Sequence, residues 1–231
     1  MIKLLCANQE YNNYLKRYDK KDGLFALILF IIVILLYSFL AILNNNISFI
    51  KENIKIVGCI FNIILIVITI IFVKLRKQGL ETIGLKGRWQ LSIIIGVILS
   101  LFYFYCNCLS HLIEGKELIS INEILFLAIY FLLVSVCEEL VFRGYIGTRL
   151  NGVIKNKYIA LFITGILFVV MHFPYRMIAA NMSLSDFDIE WIINLFIFHL
   201  IMSFIYMKSN SIYGSIIPHW ISDLAYEIVS K

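Results

Sequence analysis

Long apolar runs separated by short charged segments are the feature that most limits how this chain can fold. The first run, Leu24–Leu43, contains no charged residue and is long enough as a helix to cross the roughly 30 Å hydrocarbon core of a bilayer. Hydrophobic residues make up 61% of the 231 residues and charged residues 15%, whereas soluble domains carry about 25% charged residues. Because every backbone polar group must be paired inside a bilayer, we predict an all-α, polytopic membrane protein.

Hydropathy predicts about seven spans of roughly 17–25 residues each. We place them near Leu24–Leu43, Val57–Val73, Leu91–Cys108, Ile121–Val141, Tyr158–Phe173, Trp191–Met207 and Ile212–Val229. An eighth helix is expected if Met1–Tyr18 lies along the membrane surface. The first span is interpreted as retained, because it is too long and too late for the apolar core of a cleaved signal peptide.

Lys and Arg residues are concentrated in alternate loops. They occur in the N-terminal segment, after the second span and after the fourth span, whereas the loop before Trp191 is acidic. The positive-inside rule therefore predicts a multi-pass protein of the cell membrane with its N-terminus and even-numbered loops in the cytoplasm. The net charge of +5 suits basic loops beside an anionic leaflet and indicates no nucleic-acid partner.

The five cysteines are not spaced as metal-binding pairs. Most lie in apolar segments, so we interpret them as small core residues in a reduced or lipid environment. Cys137 directly precedes Glu138, but no histidine lies near it in sequence, which argues against a cysteine nucleophile.

Two adjacent acids, Glu138 and Glu139, lie at the end of the fourth apolar run, and Arg143 follows one turn later. Charged side chains inside a bilayer are costly, so they face a protein interior or a watery cavity and usually mark function. Glu139 and Arg143 are four residues apart, share one helix face and are predicted to pair. Glu138 is rotated by about 100° from Glu139 and is therefore left free to act as a general base.

Seven ionisable residues are predicted at membrane depth, and all lie in the second half of the chain. They are Glu138, Glu139, Arg143, His172, His199, His219 and Asp223. This distribution divides the chain into N-terminal scaffold helices, residues 1–120, and a catalytic membrane domain, residues 121–231.

Counting residues from shared turns predicts the depth of these side chains. Glu138 and His172 would both lie roughly 20 Å from the turn that joins their spans, and His199 and His219 roughly 15 Å from theirs. His219 and Asp223 are four residues apart and share a helix face. The counts therefore allow one polar cluster inside the bilayer.

These side chains suit the activation of water. Glu138 would take a proton from a water molecule that attacks a carbonyl, and a histidine or Asp223 would hydrogen-bond the oxyanion. Glu138, His172 and His219 are also a ligand set that zinc accepts. Their spacing differs from the HExxH of soluble zinc proteases, so spacing alone implies no metal, and the cofactor is left open.

Each residue also has a structural interpretation. A pair of Glu139 and Arg143 can serve only to hold helices together, and a buried histidine is often a packing residue, which is the interpretation kept for His199. Asp223 can belong to a proton or ion pathway. The combination of residues favours a hydrolytic site, since a transporter would predict broken helices or inverted repeats, and the sequence displays neither.

Three short motifs occur in order along the second half of the chain, namely Glu138-Glu139-x-x-x-Arg143, Phe168-x-x-x-His172 and His219-x-x-x-Asp223. With the flanking stretches EELVFRGYIGTRL and SNSIYGSIIPHWISDL, they resemble the CPBP family, the CAAX protease and bacteriocin-processing (Abi) family of intramembrane endopeptidases. The similarity covers roughly residues 121–225.

The resemblance implies an intramembrane peptidase whose catalytic cavity opens to the cytoplasm and whose substrate is a peptide or a membrane-associated protein. It implies that Glu138 activates water with His172, and that His219 and Asp223 complete the site and bind the oxyanion. The residues expected to support the site are Glu139, Arg143 and Phe168. The resemblance leaves open whether a divalent metal such as zinc takes part.

Two positions depart from the family pattern. Asp223 stands where the prenyl endopeptidases carry Asn, so it must be protonated or bind another group if it is not to repel an oxyanion. His199 and Ser203 stand where family members often carry small residues. The alternative function is a non-hydrolytic membrane protein of the same fold that acts in bacteriocin immunity or regulates a membrane partner.

Overall fold

The computed structural model describes residues 8–229, and the regular structure in this range is helical. The α-helices in this range are α1 (Gln9–Leu15), α2 (Lys20–Asn46), α3 (Ser48–Glu52), α4 (Ile54–Leu75), α5 (Trp89–Phe104), α6 (Ser110–Ile113), α7 (Ile121–Glu138), α8 (Thr148–Val153), α9 (Lys157–Val170), α10 (Phe173–Ala179), α11 (Ile189–Ser209) and α12 (Tyr213–Glu227). Shorter segments are the 3₁₀ turns Leu80–Ile83 and Leu184–Asp186 and the π-helical segments Tyr105–Leu109 and Glu139–Gly147.

Six helical stretches among residues 8–229 are long and apolar enough to cross a bilayer, which confirms an all-α, multi-pass membrane fold. They are Lys20–Asn46, Ile54–Leu75, Trp89–Ile113, Ile121–Val153, Lys157–Ala179 and Ile189–Ser209. The prediction of seven or eight spans is therefore wrong, and the two helices that fail the criterion lie at the two ends of the described chain.

The predicted span Ile212–Val229 is instead α12, a helix of 15 residues with Pro218 inside it. A span needs roughly 17–25 predominantly apolar residues. α12 buries small and polar residues, among them Gly214, Ser215 and His219, and it packs against α5 and α7. Its surroundings are therefore largely protein, which explains why its sequence is less apolar than that of a lipid-facing helix.

The predicted surface helix Met1–Tyr18 falls partly on residues 1–7, including Cys6, which lie outside the described residues. The described part contains α1, which has only seven residues. Tyr11 of α1 is buried, and its ring packs edge-on against Tyr206 of α11 with centroids 5.9 Å apart. α1 is therefore docked onto the end of the bundle.

The two faces of α2 illustrate how the spans meet lipid. Leu29 and Val33 are 0% and 1% exposed and belong to the main apolar core, whereas Ile31 and Leu35 are 55% and 61% exposed. Exposed side chains of this size would be a liability in water, but in a bilayer they contact acyl chains. The helix is accordingly apolar on all sides.

Small residues bring α5 and α12 into close contact. Ser92, Gly96 and Ser100 repeat at every fourth position of α5 and are all buried. Ser92 Oγ accepts a hydrogen bond of 2.7 Å from the Gly214 amide, and a Cβ on Gly96 would lie 2.9 Å from the Gly214 carbonyl oxygen. This spacing of small residues is a common way for membrane helices to approach each other closely, and here it fixes the position of α12.

A buried arginine, Arg149 of α8, ties the loop after α4 to the bundle. Its Nη1 donates to the carbonyl oxygens of Thr82 and Gly144 at 3.0 and 2.9 Å. Its Nη2 donates to Gln78 Oε1 at 2.6 Å and to Thr82 Oγ1 at 2.9 Å. The Tyr145 ring lies 4.2 Å from the guanidinium carbon. Neutral acceptors therefore satisfy both Nη atoms of this charge.

The fourth span does not end at Val141, as predicted from hydropathy, but continues to Val153. α7 first passes into the π-helical segment Glu139–Gly147, and α8 follows it. π-Helical turns are rare and occur frequently at functional sites. Gly144 lies where this segment crosses the 3₁₀ turn, and a Cβ there would lie 2.7 Å from the Ile83 carbonyl oxygen. Glu139 and Arg143 both belong to the segment and are buried.

Candidate active site

The structure gathers four of the predicted site residues where α7, the π-helical segment and α12 meet. His219 of α12 lies at the centre, with Nδ1 2.8 Å from Glu139 Oε1 and Nε2 3.5 Å from Asp223 Oδ2. Glu138 Oε2 lies 3.8 Å from the same Nε2. Three carboxylates thus surround one imidazole inside a membrane helix bundle.

Glu139 and Arg143 form the expected ion pair, with 3.0 Å between Oε1 and Nη1, and both side chains are fully buried. The contact is not a directed hydrogen bond, since Nη1, Nη2 and Nε of Arg143 all lack a hydrogen-bond partner among residues 8–229. The same Glu139 oxygen accepts the hydrogen bond from His219, a contact that spacing along one helix could not indicate. Glu139 is therefore shared between Arg143 and His219.

The hydrogen bonds of His219 restrict its protonation state. A carboxylate only accepts hydrogen bonds, so Nδ1 carries a proton and donates it to Glu139. Nε2 faces Asp223 and Glu138, and a bare nitrogen lone pair there would be repelled by two ionised carboxylates. In the favourable arrangement a proton lies between Nε2 and these two acids. Asp223 then binds the imidazole of His219, which meets the expectation that it is protonated or binds another group.

His172 follows α9, where the chain turns into α10. Its Nδ1 lies 2.7 Å from the Phe168 carbonyl oxygen, and because a carbonyl cannot donate, Nδ1 carries the proton. In the neutral ring Nε2 is then an acceptor. His172 also lies close enough to His219 and Asp223 to interact with both electrostatically.

Phe168 connects the parts of the site. Its ring centroid lies 5.0 Å from that of His172 and 5.4 Å from that of His199, and the guanidinium carbon of Arg143 lies 4.3 Å from it. Its carbonyl oxygen fixes the tautomer of His172. The motif Phe168-x-x-x-His172 therefore corresponds to a physical contact through both backbone and ring.

Glu138 lies at the boundary between this cluster and an apolar cavity. Its side chain is 11% exposed, and within residues 8–229 its Oε2 has no hydrogen-bond partner. The cavity is a packing gap too small to admit a water molecule and is lined by Val33, Tyr37, Leu65, Cys137, Glu138, Val141, Phe142 and Met171. Glu138 thus has a free acceptor oxygen beside loosely packed apolar side chains.

His199 is not part of the central cluster. It is 1% exposed, and its Nε2 lies 3.2 Å from both Thr164 Oγ1 and Ser203 Oγ. Its hydroxyl partners and its packing on Phe168 agree with the interpretation of His199 as a packing residue.

Two aromatic contacts that sequence reasoning missed hold α12 in register. Trp220 Nε1 donates to the Ala128 carbonyl oxygen at 2.8 Å, which fixes α12 against α7. The Phe198 ring lies 5.0 Å from the ring of His219. The position of Trp220 directly after His219 was a usable signal, since a membrane tryptophan that is partly buried needs an acceptor for its N–H. Phe198 carried no such signal.

The predicted zinc ligands are not arranged as a metal site. Among residues 8–229 no group of three or more His, Cys, Asp or Glu side chains has a geometry that could hold a metal ion. His219 directs Nδ1 to Glu139 at 2.8 Å, so this nitrogen is occupied, and Nε2 lies 3.5 Å from Asp223 Oδ2 and 3.8 Å from Glu138 Oε2. The residues in their present positions therefore do not fit a zinc ion held by Glu138, His172 and His219.

Comparison with known proteins finds a match for the part of the chain that contains this cluster. A family model described as type II CAAX prenyl endopeptidase Rce1-like matches residues 120–225. No curated protein and no solved structure matches the chain. The matched residues contain all three motifs, and this part of the chain is similar to a family of membrane proteases.

Proposed function

We propose that this chain is an intramembrane endopeptidase in which Glu138 and His172 activate water. The observation that carries the proposal is the contact of His219 with Glu138, Glu139 and Asp223 in the interior of a membrane bundle. Ionisable groups at such depth are costly and usually functional. The match to a protease family supports hydrolysis of a peptide bond over ion transport.

In the proposed reaction Glu138 accepts a proton from water while the Nε2 lone pair of His172 accepts a second hydrogen bond from it. The water oxygen attacks the peptide carbonyl, and the Nε2 proton of His219 stabilises the resulting oxyanion. The C–N bond then breaks as Glu138 returns the proton to the leaving amine. Asp223 holds the Nε2 proton of His219 until substrate arrives.

Three further residues keep these groups in place. Glu139 fixes the orientation of the His219 ring, and Arg143 balances the charge of Glu139. Phe168 fixes the tautomer of His172. Since the residues do not fit a metal, we assign every step to side chains of this chain.

The proposed substrate is a peptide or a membrane-associated protein, cleaved from a cavity that opens to the cytoplasmic side of the cell membrane. Residues 121–231 would form the catalytic domain and residues 1–120 the scaffold. A role in bacteriocin processing is consistent with this chemistry and rests on the family resemblance alone.

The test is peptide cleavage by purified protein in lipid nanodiscs, with Glu138→Gln and His172→Ala compared at equal protein level. Glu138→Gln keeps the shape of the side chain and removes its basicity, so we expect cleavage to fall at least about 10²-fold, the lower range of general-base catalysis. The matched control is Glu123→Gln, on the same helix but in its exposed capping box, where Gln is also accepted.

Cleavage by both Glu138→Gln and His172→Ala at wild-type rates would exclude the peptidase mechanism. If wild-type protein instead cleaves nothing while both variants keep a biological effect, such as immunity to a bacteriocin, the non-hydrolytic alternative is correct.

A further inference from the structure

A second cavity lies on the α1 side of the ion pair, separate from the apolar cavity beside Glu138. Its volume is about 10 Å³, room for about one water molecule, and it is lined by Tyr11, Arg143, Gly147, Asn151, Leu161, Thr164, Ser203, Tyr206 and Met207. These residues come from α1, the π-helical segment, α8, α9 and α11. We call this space the Arg143 chamber.

Three side chains that line the Arg143 chamber carry polar atoms with no hydrogen-bond partner in the part of the chain that the structure describes. The atoms are Nε and Nη2 of Arg143, Oδ1 of Asn151 and Oη of Tyr206. Arg143 and Tyr206 are each 2% exposed, and Asn151 is 8% exposed. Buried polar groups are almost always hydrogen-bonded, so the convergence of three unpartnered groups on one cavity calls for a ligand.

The mixture of donors and acceptors selects the chemistry of that ligand. Arg143 can only donate, the Asn151 oxygen can only accept, and the Tyr206 hydroxyl does both. An anion would satisfy Arg143 but not Asn151, and Glu139 already balances the charge of Arg143. A ligand that both donates and accepts, and that is small enough for a space of about 10 Å³, is water.

We propose that the Arg143 chamber is a buried hydration site whose ordered water bridges Arg143, Asn151 and Tyr206. Arginine does not release its proton, so this water does not conduct protons through Arg143. It solvates the guanidinium from the side opposite Glu139, which lets a buried ion pair persist. The water therefore positions Glu139, and through it His219, without touching the reacting atoms.

The first helix closes this site. Asn151 Nδ2 donates to Tyr11 Oη at 2.9 Å, and the Tyr11 ring packs on Tyr206. Both contacts place α1 across the end of the chamber. A short N-terminal helix that neither spans the membrane nor holds a motif residue thus acquires a function, which is to retain the water.

Hydroxyl-radical footprinting of the wild-type protein in nanodiscs tests the proposal without relying on activity. Radicals formed by radiolysis of water modify side chains that contact ordered water even when they are buried. We expect Tyr206 to be modified several-fold faster than Tyr18, a buried tyrosine outside the chamber whose hydroxyl donates to the Thr82 carbonyl oxygen. Equal, slow modification of Tyr206 and Tyr18 would overturn the hydration site.

The variant Asn151→Leu removes the acceptor and the bond to Tyr11 at similar volume. We expect modification of Tyr206 to fall towards the level of Tyr18, because the water loses the one pure acceptor among the three bridged groups. If Tyr206 is still modified at the wild-type rate in the folded variant, Asn151 does not hold the water and the assigned bridge is wrong. Neither readout depends on peptide cleavage, so failure here is distinguishable from failure of the proposed function.

Discussion

Arg143 and Arg149 lie six residues apart, are both almost fully buried, and are held in opposite ways. Arg149 donates from both Nη atoms to carbonyl, amide and hydroxyl oxygens, and it stacks on the rings of Tyr18 and Tyr145. Arg143 instead contacts one carboxylate, Glu139, and leaves its donors without directed hydrogen bonds. Neutral oxygen atoms accept the hydrogen bonds of Arg149, whereas the negative charge of Glu139 balances Arg143.

This difference indicates what each arginine does. Neutral acceptors fix Arg149, and no carboxylate of residues 8–229 forms an ion pair with it, which suits a structural role. Gln78 extends its network by donating to Asp22 at 2.8 Å. Arg143 shares Glu139 with His219, so its interactions depend on the protonation of the candidate active site. Incomplete satisfaction of a buried charge is costly, and proteins retain it mainly where function requires it.

Replacement of Arg143 by Ala should give the largest effect. It leaves Glu139 as a buried unpaired charge, so we expect a loss of about 4 kcal/mol in the free energy of unfolding, together with loss of cleavage and of accumulation. Unfolding in detergent measures the first effect. Adding Glu139→Gln removes the unpaired charge and should restore stability but not cleavage. Wild-type accumulation and cleavage of Arg143→Ala would refute its role.

Arg149→Met should destabilise the protein by about 3 kcal/mol, because the acceptors around it lose their donor. Cleavage per folded molecule should remain near wild type, since Arg149 contacts no residue of the cluster. Measuring the cleavage rate and the amount of folded protein in the same sample separates the loss of stability from any loss of activity per folded molecule. A loss of cleavage larger than the loss of folded protein would show that the two arginines are not functionally distinct.

Gly144→Ala tests the backbone that separates the two arginines. The new Cβ would lie 2.7 Å from the Ile83 carbonyl oxygen, so we expect overpacking to cost about 2 kcal/mol. Gly58→Ala is the matched control, because its Cβ would lie 3.7 Å from the Tyr130 ring, an ordinary contact. Thermal unfolding of both variants measures the difference. Equal stability would mean that the backbone around Gly144 and Ile83 can shift to accommodate the new methyl group.

The aromatic partners give the smallest expected effect on stability. Phe168→Leu and Tyr18→Leu each remove one cation–π contact, which contributes about 1 kcal/mol. Only Phe168→Leu should lower cleavage, because Phe168 also packs on His172. Cleavage and unfolding are measured for both variants. Equal cleavage by the two would show that Phe168 does not support the active site.

Contacts within one helix of the site could be predicted from the sequence, whereas contacts between residues far apart in the chain could not. The four-residue spacing of Glu139 and Arg143 was enough to predict their contact, because a helix makes such pairs neighbours. The contact of Glu139 with His219 joins residues 80 positions apart, and no periodicity reports it. The acceptors of Arg149 at Gln78 and Thr82 lie in a loop 71 and 67 positions away, and were missed for the same reason.

The fold was predictable as a class but not in its count of spans. Apolar length identified the six spanning stretches, whereas α12 was taken for a seventh because its apolar residues outweighed Pro218 and the buried polar face. A better signal was present in α5, where Ser92, Gly96 and Ser100 recur every fourth residue and predict a closely packed partner helix. That stripe marks where α12 lies.

The π-helical segment makes residue count as important to the site as residue identity. Each π turn contains more residues than an α turn, so the segment Glu139–Gly147 contains more residues than the same number of α turns would. A single deletion there would let the segment tighten into an α-helix with almost no change in its length. Glu138 and Arg149 would then point in new relative directions while every motif residue stayed present. Substitutions between them can be tolerated, but insertions and deletions rotate one half of the span against the other.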